Sequence, residues 1–95
     1  MEEQLGYKKY QIHLSDKVSR FLQKLDVHVK ERLKLRLKNL EDNPVPSDAK
    51  FIVREGKDRI FRYRLGDYRA LYKVKYSEGI VLIAKLDKRP RIYHR

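Results

Sequence analysis

The hydrophobic period of the chain changes near residue 50, and this change limits the folds open to it. Between residues 16 and 40, apolar side chains recur every three or four residues, which is the spacing of one helix face. From Phe51 onward they recur every second residue, the spacing of a strand with one buried side. Helices and strands in separate halves of a chain are typical of an α+β domain.

A short strand and two helices are predicted for the first half. Residues 10–14 alternate apolar and polar side chains, as a strand does. Ser15 and Asp16 are good N-caps for a first helix, and Asp26 can cap a second. The proline-containing segment 42–47 ends the second helix. Helices joined this tightly are expected to form an antiparallel hairpin.

The second half predicts a sheet of short strands joined by turns. Residues 51–53 are strand-like, and 59–65, 68–76 and the nearly all-apolar 80–86 are predicted strands, with 80–86 inside the sheet. We summarise the order as β-α-α-β-β-β, with the N-terminal strand and helix hairpin packed on one face of a mainly antiparallel twisted sheet. The chain is expected to form one domain, residues 1–95.

Composition excludes several classes of protein. The chain has no cysteine, which rules out disulfides, cysteine-bound zinc and a thiol nucleophile, and which fits a reducing cytoplasm. It has no apolar run of roughly 18 residues and no apparent signal peptide, so we expect a cytoplasmic protein without membrane association. His13 and His28 have no partner at metal-ligand spacing, so neither a metal nor a cofactor is expected.

Positive charge is concentrated in the second half. The formal net charge is +11, and residues 50–95 contain 14 basic and 5 acidic side chains against 10 and 8 in residues 1–49. A bias of this kind favours one basic site for a polyanion over a uniformly charged surface.

The predicted hairpin of residues 59–76 brings three arginines to one side of the sheet. If residues 66–67 form a two-residue turn, Arg64 lies opposite Arg69, and Arg62 shares their face. Like charges placed across strands are unfavourable by up to about 1 kcal/mol. A phosphate bound between the guanidinium groups would reverse that sign, because their donors match phosphate oxygens. The alternative is that these side chains only extend into water.

The C-terminal residues 85–95 interleave basic groups with an aromatic ring. A base could stack on Tyr93 while Lys88, Arg89 or Arg91 holds its phosphate. The alternative is a disordered basic tail. The residues predicted to bind RNA are Lys73, Lys85, Lys88 and Arg91.

Three segments resemble the RelE/ParE toxin superfamily. They are FRYRLGDYRALYKV at 61–74, LDKRPRIY at 86–93 and EDNP at 41–44. The RLGDYR and PVP segments are similar in particular to archaeal-type RelE proteins. The resemblance implies the toxin of a type II toxin–antitoxin pair, which enters the ribosomal A site and cleaves mRNA there. It also implies a small RelB-like antitoxin as partner, with operator DNA bound only by the toxin–antitoxin complex.

The resemblance also implies roles for individual residues. Arg62 and Arg64 fall on two basic catalytic positions, and Arg69 falls on the position that stabilises the phosphate. Arg89 falls on a second catalytic arginine, and Tyr93 on a tyrosine that stacks or assists proton transfer.

One difference from the best-studied RelE pattern concerns proton transfer. That pattern has lysine at the positions of Arg62 and Arg64, and arginine, with a pKa above about 12, does not exchange its proton. Arginines can neutralise the charge of the transition state, but the 2′-hydroxyl must also lose a proton and the leaving oxygen must gain one. Lys88, Tyr93 and His94 are the local candidates, and the ribosome is another.

Two other functions remain open from the sequence. The same fold could serve a ParE-like inhibitor of DNA gyrase that cleaves nothing, since a fold does not define an activity. A non-enzymatic module that binds nucleic acid would share the positive charge. The clustered arginines and Tyr93 favour RNA cleavage over gyrase binding.

Overall fold

The computed structural model describes residues 9–88, which form two α-helices and a five-stranded sheet. The elements are β1 (Gln11–Leu14), α1 (Asp16–Gln23), α2 (Val27–Lys38) with a 3-10 turn (Asn39–Glu41), β2 (Lys50–Glu55), β3 (Asp58–Leu65), β4 (Tyr68–Lys75) and β5 (Ile80–Lys88). The α+β class is confirmed. Four strands follow the helices, whereas the summarised order counted three, because β2 is a complete edge strand. Every residue of β2 is exposed, so its sequence lacks the alternation of a half-buried strand.

Side-chain caps set the start of both helices. The Ser15 hydroxyl accepts a hydrogen bond from the Val18 amide at 3.2 Å and donates one to the Ala84 carbonyl at 3.1 Å. Asp26 accepts from the His28 amide at 3.1 Å. Each cap satisfies an amide that has no partner inside the helix. Ser15 therefore also ties the start of α1 to strand β5.

The strands lie in the order β1-β5-β4-β3-β2. β1 runs parallel to β5, and the other neighbouring pairs are antiparallel, as expected for a mainly antiparallel sheet. β5 is an interior strand, which explains its apolar sequence. Two register shifts occur, one in β2 next to Ile52 and one in β5 next to Ala84.

One face of the sheet is covered by the helices. Val18 and Leu22 of α1, and Leu33 and Leu37 of α2, are buried against it. Its buried strand members are Phe61, Tyr63, Leu65, Ala70, Tyr72, Val74, Val81, Ile83 and Leu86. The opposite face, which we call the open face, holds the alternating residues of the same strands. No helix within residues 9–88 is long and apolar enough to span a bilayer.

Candidate functional site

The register of the β3–β4 hairpin places the three arginines as the sequence predicts. Arg64 pairs with Arg69, and Leu65 pairs with Tyr68 across the turn. Gly66 begins this turn with φ of +68°, a conformation that glycine adopts without steric cost. Alternation along β3 puts Arg62 on the same open face.

The three arginines line one cleft. Its volume is about 320 Å³. Its lining residues are Asp48, Lys50, Arg62, Arg64 and Arg69, and we call this site the arginine cleft. Four of these side chains are cationic and one is anionic, so the cleft is suited to an anion with more than one charge.

The carbonyl of the turn holds two of the guanidinium groups together. Arg64 Nε lies 3.5 Å from the Gly66 oxygen, and Arg69 Nη1 lies 3.4 Å from the same oxygen. Arg69 Nη1 also donates to the Tyr68 carbonyl at 3.3 Å. Shared acceptors of this kind offset part of the repulsion between adjacent cations. They hold both guanidinium groups beside the turn of the hairpin.

Neighbouring strands extend the positive charge. Lys50 of β2 pairs with Arg62, and Lys85 of β5 lies on the same row, opposite Leu71. Asp87 lies across from Arg69. The open face at this end of the sheet is therefore rich in cations, although it also includes acidic side chains.

The other end of the open face has its charges paired. Lys73 Nζ lies 2.6 Å from Glu55 Oε1, and Lys75 Nζ lies 3.5 Å from Asp58 Oδ2. The hydrogen bond with Glu55 is the largest cause that raises the pKa of Lys73. We call these four residues the paired end. Lys73 was predicted to bind RNA, but it does not line the arginine cleft.

The remaining predicted site residues divide by location. Lys85 is exposed on the open face. Lys88 lies on the helix side, where its Nζ is 5.8 Å from the centre of the Tyr68 ring. Arg89, Arg91, Tyr93 and His94 lie outside the described residues.

Two residues of the cleft were missed by the sequence analysis. Lys50 and Asp48 come just before the predicted strand at 51–53, so no cross-strand partner was assigned to them. A strand begun one residue earlier and paired antiparallel to β3 would have placed Lys50 beside Arg62. Asp48 precedes the strand, and only the path of the connecting loop brings it to the cleft.

The loop before β2 is fixed by a buried tyrosine. Tyr72 Oη donates to the Pro44 carbonyl at 2.7 Å, and the Ala49 amide donates to the Pro46 carbonyl at 2.9 Å. Burial raises the pKa of Tyr72, so the phenol remains a donor. Asp48 therefore lies in an anchored segment.

Among residues 9–88, no group of three or more potential metal ligands occurs.

Comparison with known proteins agrees with this fold. The family model for the ParE toxin of the type II toxin–antitoxin system parDE matches residues 12–93. A Methanocaldococcus jannaschii protein assigned as the toxin RelE1 is 28% identical over 86 residues, which cover 90% of this chain and 96% of that protein.

Solved structures of toxin–antitoxin complexes include chains with a similar fold. The RelE–RelB complex of Pyrococcus horikoshii includes a chain with a TM-score of 0.78 and 31% identity, covering 87% of this chain and 98% of that one. The toxin–antitoxin complex RelBE2 of Mycobacterium tuberculosis gives a TM-score of 0.71 and 26% identity, covering 86% and 93%. The fold and the match over most of the chain define a toxin of a type II toxin–antitoxin system. The chain belongs to the RelE/ParE toxin superfamily, and it is similar to archaeal RelE.

Proposed function

We propose that this toxin is a ribosome-dependent endoribonuclease that cleaves mRNA in the ribosomal A site and thereby stops translation in the cytoplasm. The observation that supports it is the arginine cleft, in which Arg62, Arg64 and Arg69 converge on one side of a rigid hairpin. A site of this size and charge fits the phosphate of an RNA strand.

The chemistry assigned to the cleft is stabilisation of negative charge. When the 2′-oxygen attacks the adjacent phosphorus, charge develops on the non-bridging oxygens. Guanidinium donors held in place by the sheet stabilise that charge without reorganising during the reaction. Arg64 and Arg69 are already held by the Gly66 carbonyl. In this proposal Arg89 and Tyr93 keep the roles that the family resemblance implies.

Lys73, at the paired end of the open face, is not assigned to this site. Lys73 is engaged by Glu55, so its charge is largely offset. Lys85 is the better candidate for contact with the RNA backbone, because it is exposed on the row that includes Arg62.

Inhibition of gyrase is the competing function, because the matching family model is that of ParE toxins. The experiment that separates the two is induction of the toxin in cells, followed by primer extension on mRNA and an assay for DNA breaks. RNA cleavage predicts site-specific breaks in translated messages, which Arg69→Ala abolishes while the fold is retained. Intact messages with broken DNA would support gyrase inhibition. Intact messages together with intact DNA would support the third function, a non-enzymatic module that binds nucleic acid.

We also propose an acidic, partly helical RelB-like antitoxin as the partner. Similarity to chains from RelE–RelB complexes supports this assignment. Two adjoining cavities of about 190 and 260 Å³ lie along α2, and Leu14 and Lys34 line both of them. Lys30 and Lys38 line one cavity each, over an apolar floor. This groove suits an acidic amphipathic segment that folds on binding.

Charge reversal tests the partner assignment. Lys34→Glu should weaken the complex with the cognate antitoxin at least about tenfold, because it places a like charge against an acidic segment. Lys57→Glu, in the exposed turn between β2 and β3, is the control for net charge. Equal affinities for both variants would exclude the α2 groove as the docking site. Operator DNA is expected to bind only the toxin–antitoxin complex.

A further inference from the structure

The arginines of the cleft cannot accept a proton from the substrate. A guanidinium group only donates hydrogen bonds in proteins and does not act as a base. Cleavage at a 2′-hydroxyl nevertheless requires that the hydroxyl lose its proton. Among the described residues that line the cleft, Asp48 is the acidic one.

We infer that the Asp48 carboxylate is the general base that takes the proton from the 2′-hydroxyl of the RNA. The inference rests on the proposed nuclease function and assigns the part of the reaction that the arginines cannot perform. A carboxylate is ionised at neutral pH and is one of the common general bases in enzymes.

The position of Asp48 supports this role. The segment before it is anchored by the hydrogen bond from Tyr72 to Pro44, and the segment after it by the bond from Ala49 to Pro46. Asp48 itself is exposed, so a substrate can reach it. Among residues 9–88, no hydrogen bond or ion pair occupies its carboxylate.

Charged groups surround the carboxylate on the cleft side. Lys50, Arg62, Arg64 and Arg69 line the same cleft. On the helix side, Tyr72 has a pKa that is raised first by burial and least by the charge of Asp48. In this proposal, a phosphate held by the arginines has its neighbouring ribose within reach of the Asp48 carboxylate, which lines the same cleft.

The reaction balances with water as the only co-reactant. Asp48 accepts the proton as the 2′-oxygen forms a bond to phosphorus. The bond from phosphorus to the 5′-oxygen of the next nucleotide breaks, and water protonates that oxygen. The hydroxide formed removes the proton from Asp48. The products are a 2′,3′-cyclic phosphate and a free 5′-hydroxyl.

A purely electrostatic role for Asp48 predicts the opposite effect of mutation. If the carboxylate only moderates the positive charge of the cleft, its neutralisation should strengthen phosphate binding and leave cleavage equal or faster. If it is the base, neutralisation should slow cleavage although binding is equal or tighter. The two roles therefore differ in the sign of the effect on the rate.

The test is single-turnover cleavage of mRNA on programmed ribosomes by Asp48→Asn. We expect the rate to fall about 10²- to 10⁴-fold, with ribosome affinity unchanged or higher. The remaining rate should rise with pH through the neutral range, because solvent hydroxide replaces the missing base. Asp48→Glu, which keeps a carboxylate, should recover much of the loss. Asp67→Asn, a change of equal charge in the exposed hairpin turn, should cleave normally.

Several results would overturn the inference. Asp48→Asn that cleaves at the wild-type rate or faster, while Arg69→Ala is inactive, would exclude Asp48 as the base and leave the nuclease function intact. A loss explained by weaker ribosome binding would exclude it as well. If the wild-type toxin itself cleaves no mRNA, the proposed function fails and this inference fails with it.

Discussion

The two ends of the open sheet face both present basic residues but differ in how those residues are held. At the paired end, Lys73 and Lys75 each have a carboxylate within 3.5 Å. At the arginine cleft, Arg64 and Arg69 face each other across the hairpin and donate to a backbone carbonyl. Both ends include residues of the same three strands, β2, β3 and β4. The difference teaches that an excess of positive charge alone does not locate a site, because the spacing of the cations and the groups that hold them also matter.

The arrangement of turns accounts for this difference. The turn between β2 and β3 is flanked by Glu55 and Asp58, which supply partners for the lysines of β4. The turn between β3 and β4 supplies carbonyl oxygens to the arginines beside it. A carbonyl satisfies guanidinium donors without cancelling their charge. The arginines held in this way keep the positive charge that attracts an anion.

The largest expected effect distinguishes cations inside the arginine cleft from those beside it. Arg62→Ala should lower single-turnover mRNA cleavage about 10²- to 10³-fold, the usual cost of removing one donor to the transition state. Lys85→Ala removes an exposed cation from the same row and should cost less than about tenfold. Equal losses would mean that general charge, not the cleft, determines the rate.

A second prediction compares glycines at the two ends. Gly66 and Gly56 have φ of +68° and +65°, and a Cβ at either would contact nothing within 4 Å. Alanine at each should therefore cost a similar amount in the free energy of unfolding, about 1–2 kcal/mol. Only Gly66→Ala should also slow cleavage, because strain in this turn would displace the carbonyl of residue 66, which holds two arginines. Urea unfolding and cleavage assays on both variants test this. Slower cleavage by Gly56→Ala would contradict it.

A third, smaller effect concerns the loop that brings Asp48 to the cleft. Tyr72→Phe removes the hydrogen bond to Pro44 and should lower the free energy of unfolding by about 1 kcal/mol. Cleavage should fall as well, since the loop loses its anchor. Tyr68→Phe is a control in which the ring packs on Phe21. If Tyr72→Phe leaves both stability and cleavage unchanged, the loop does not depend on this bond.

The smallest expected effect is at the paired end. A double-mutant cycle with Asp58→Asn and Lys75→Ala should give a coupling energy below about 1 kcal/mol, as for other ion pairs near the surface. Neither variant should change mRNA cleavage by more than a few-fold. A large loss of cleavage in either would show that the paired end also takes part in the function.

The sequence predicted the hairpin in detail because strong local rules determine it. A two-residue turn with glycine fixes which residues face each other, and alternation fixes the face. The pairing of Arg64 with Arg69 followed from these rules and was confirmed. The caps at Ser15 and Asp26 followed from equally local chemistry.

Contacts between distant segments could not be predicted in the same way. Asp48 enters the cleft through the path of a loop, and Tyr72 fixes that loop from 28 residues away. The exposed strand β2 lacks the alternation that would have indicated its full length. The ion pair between Lys73 and Glu55 depends on the alignment of β2 with β3, which includes a register shift next to Ile52.

The most direct test of the contrast between the two ends removes one cation from each. Arg69→Ala and Lys73→Ala lie on the same strand and the same face, four residues apart. Their single-turnover cleavage of mRNA in the A site of programmed ribosomes should be compared at one salt concentration. We expect the cleavage rate of Arg69→Ala to fall about 10²-fold or more. The rate of Lys73→Ala should stay within about threefold of the wild type, the scale of a surface ion pair. Equal rates for the two variants, whether both low or both unchanged, would contradict the assignment of the arginine cleft as the site of cleavage.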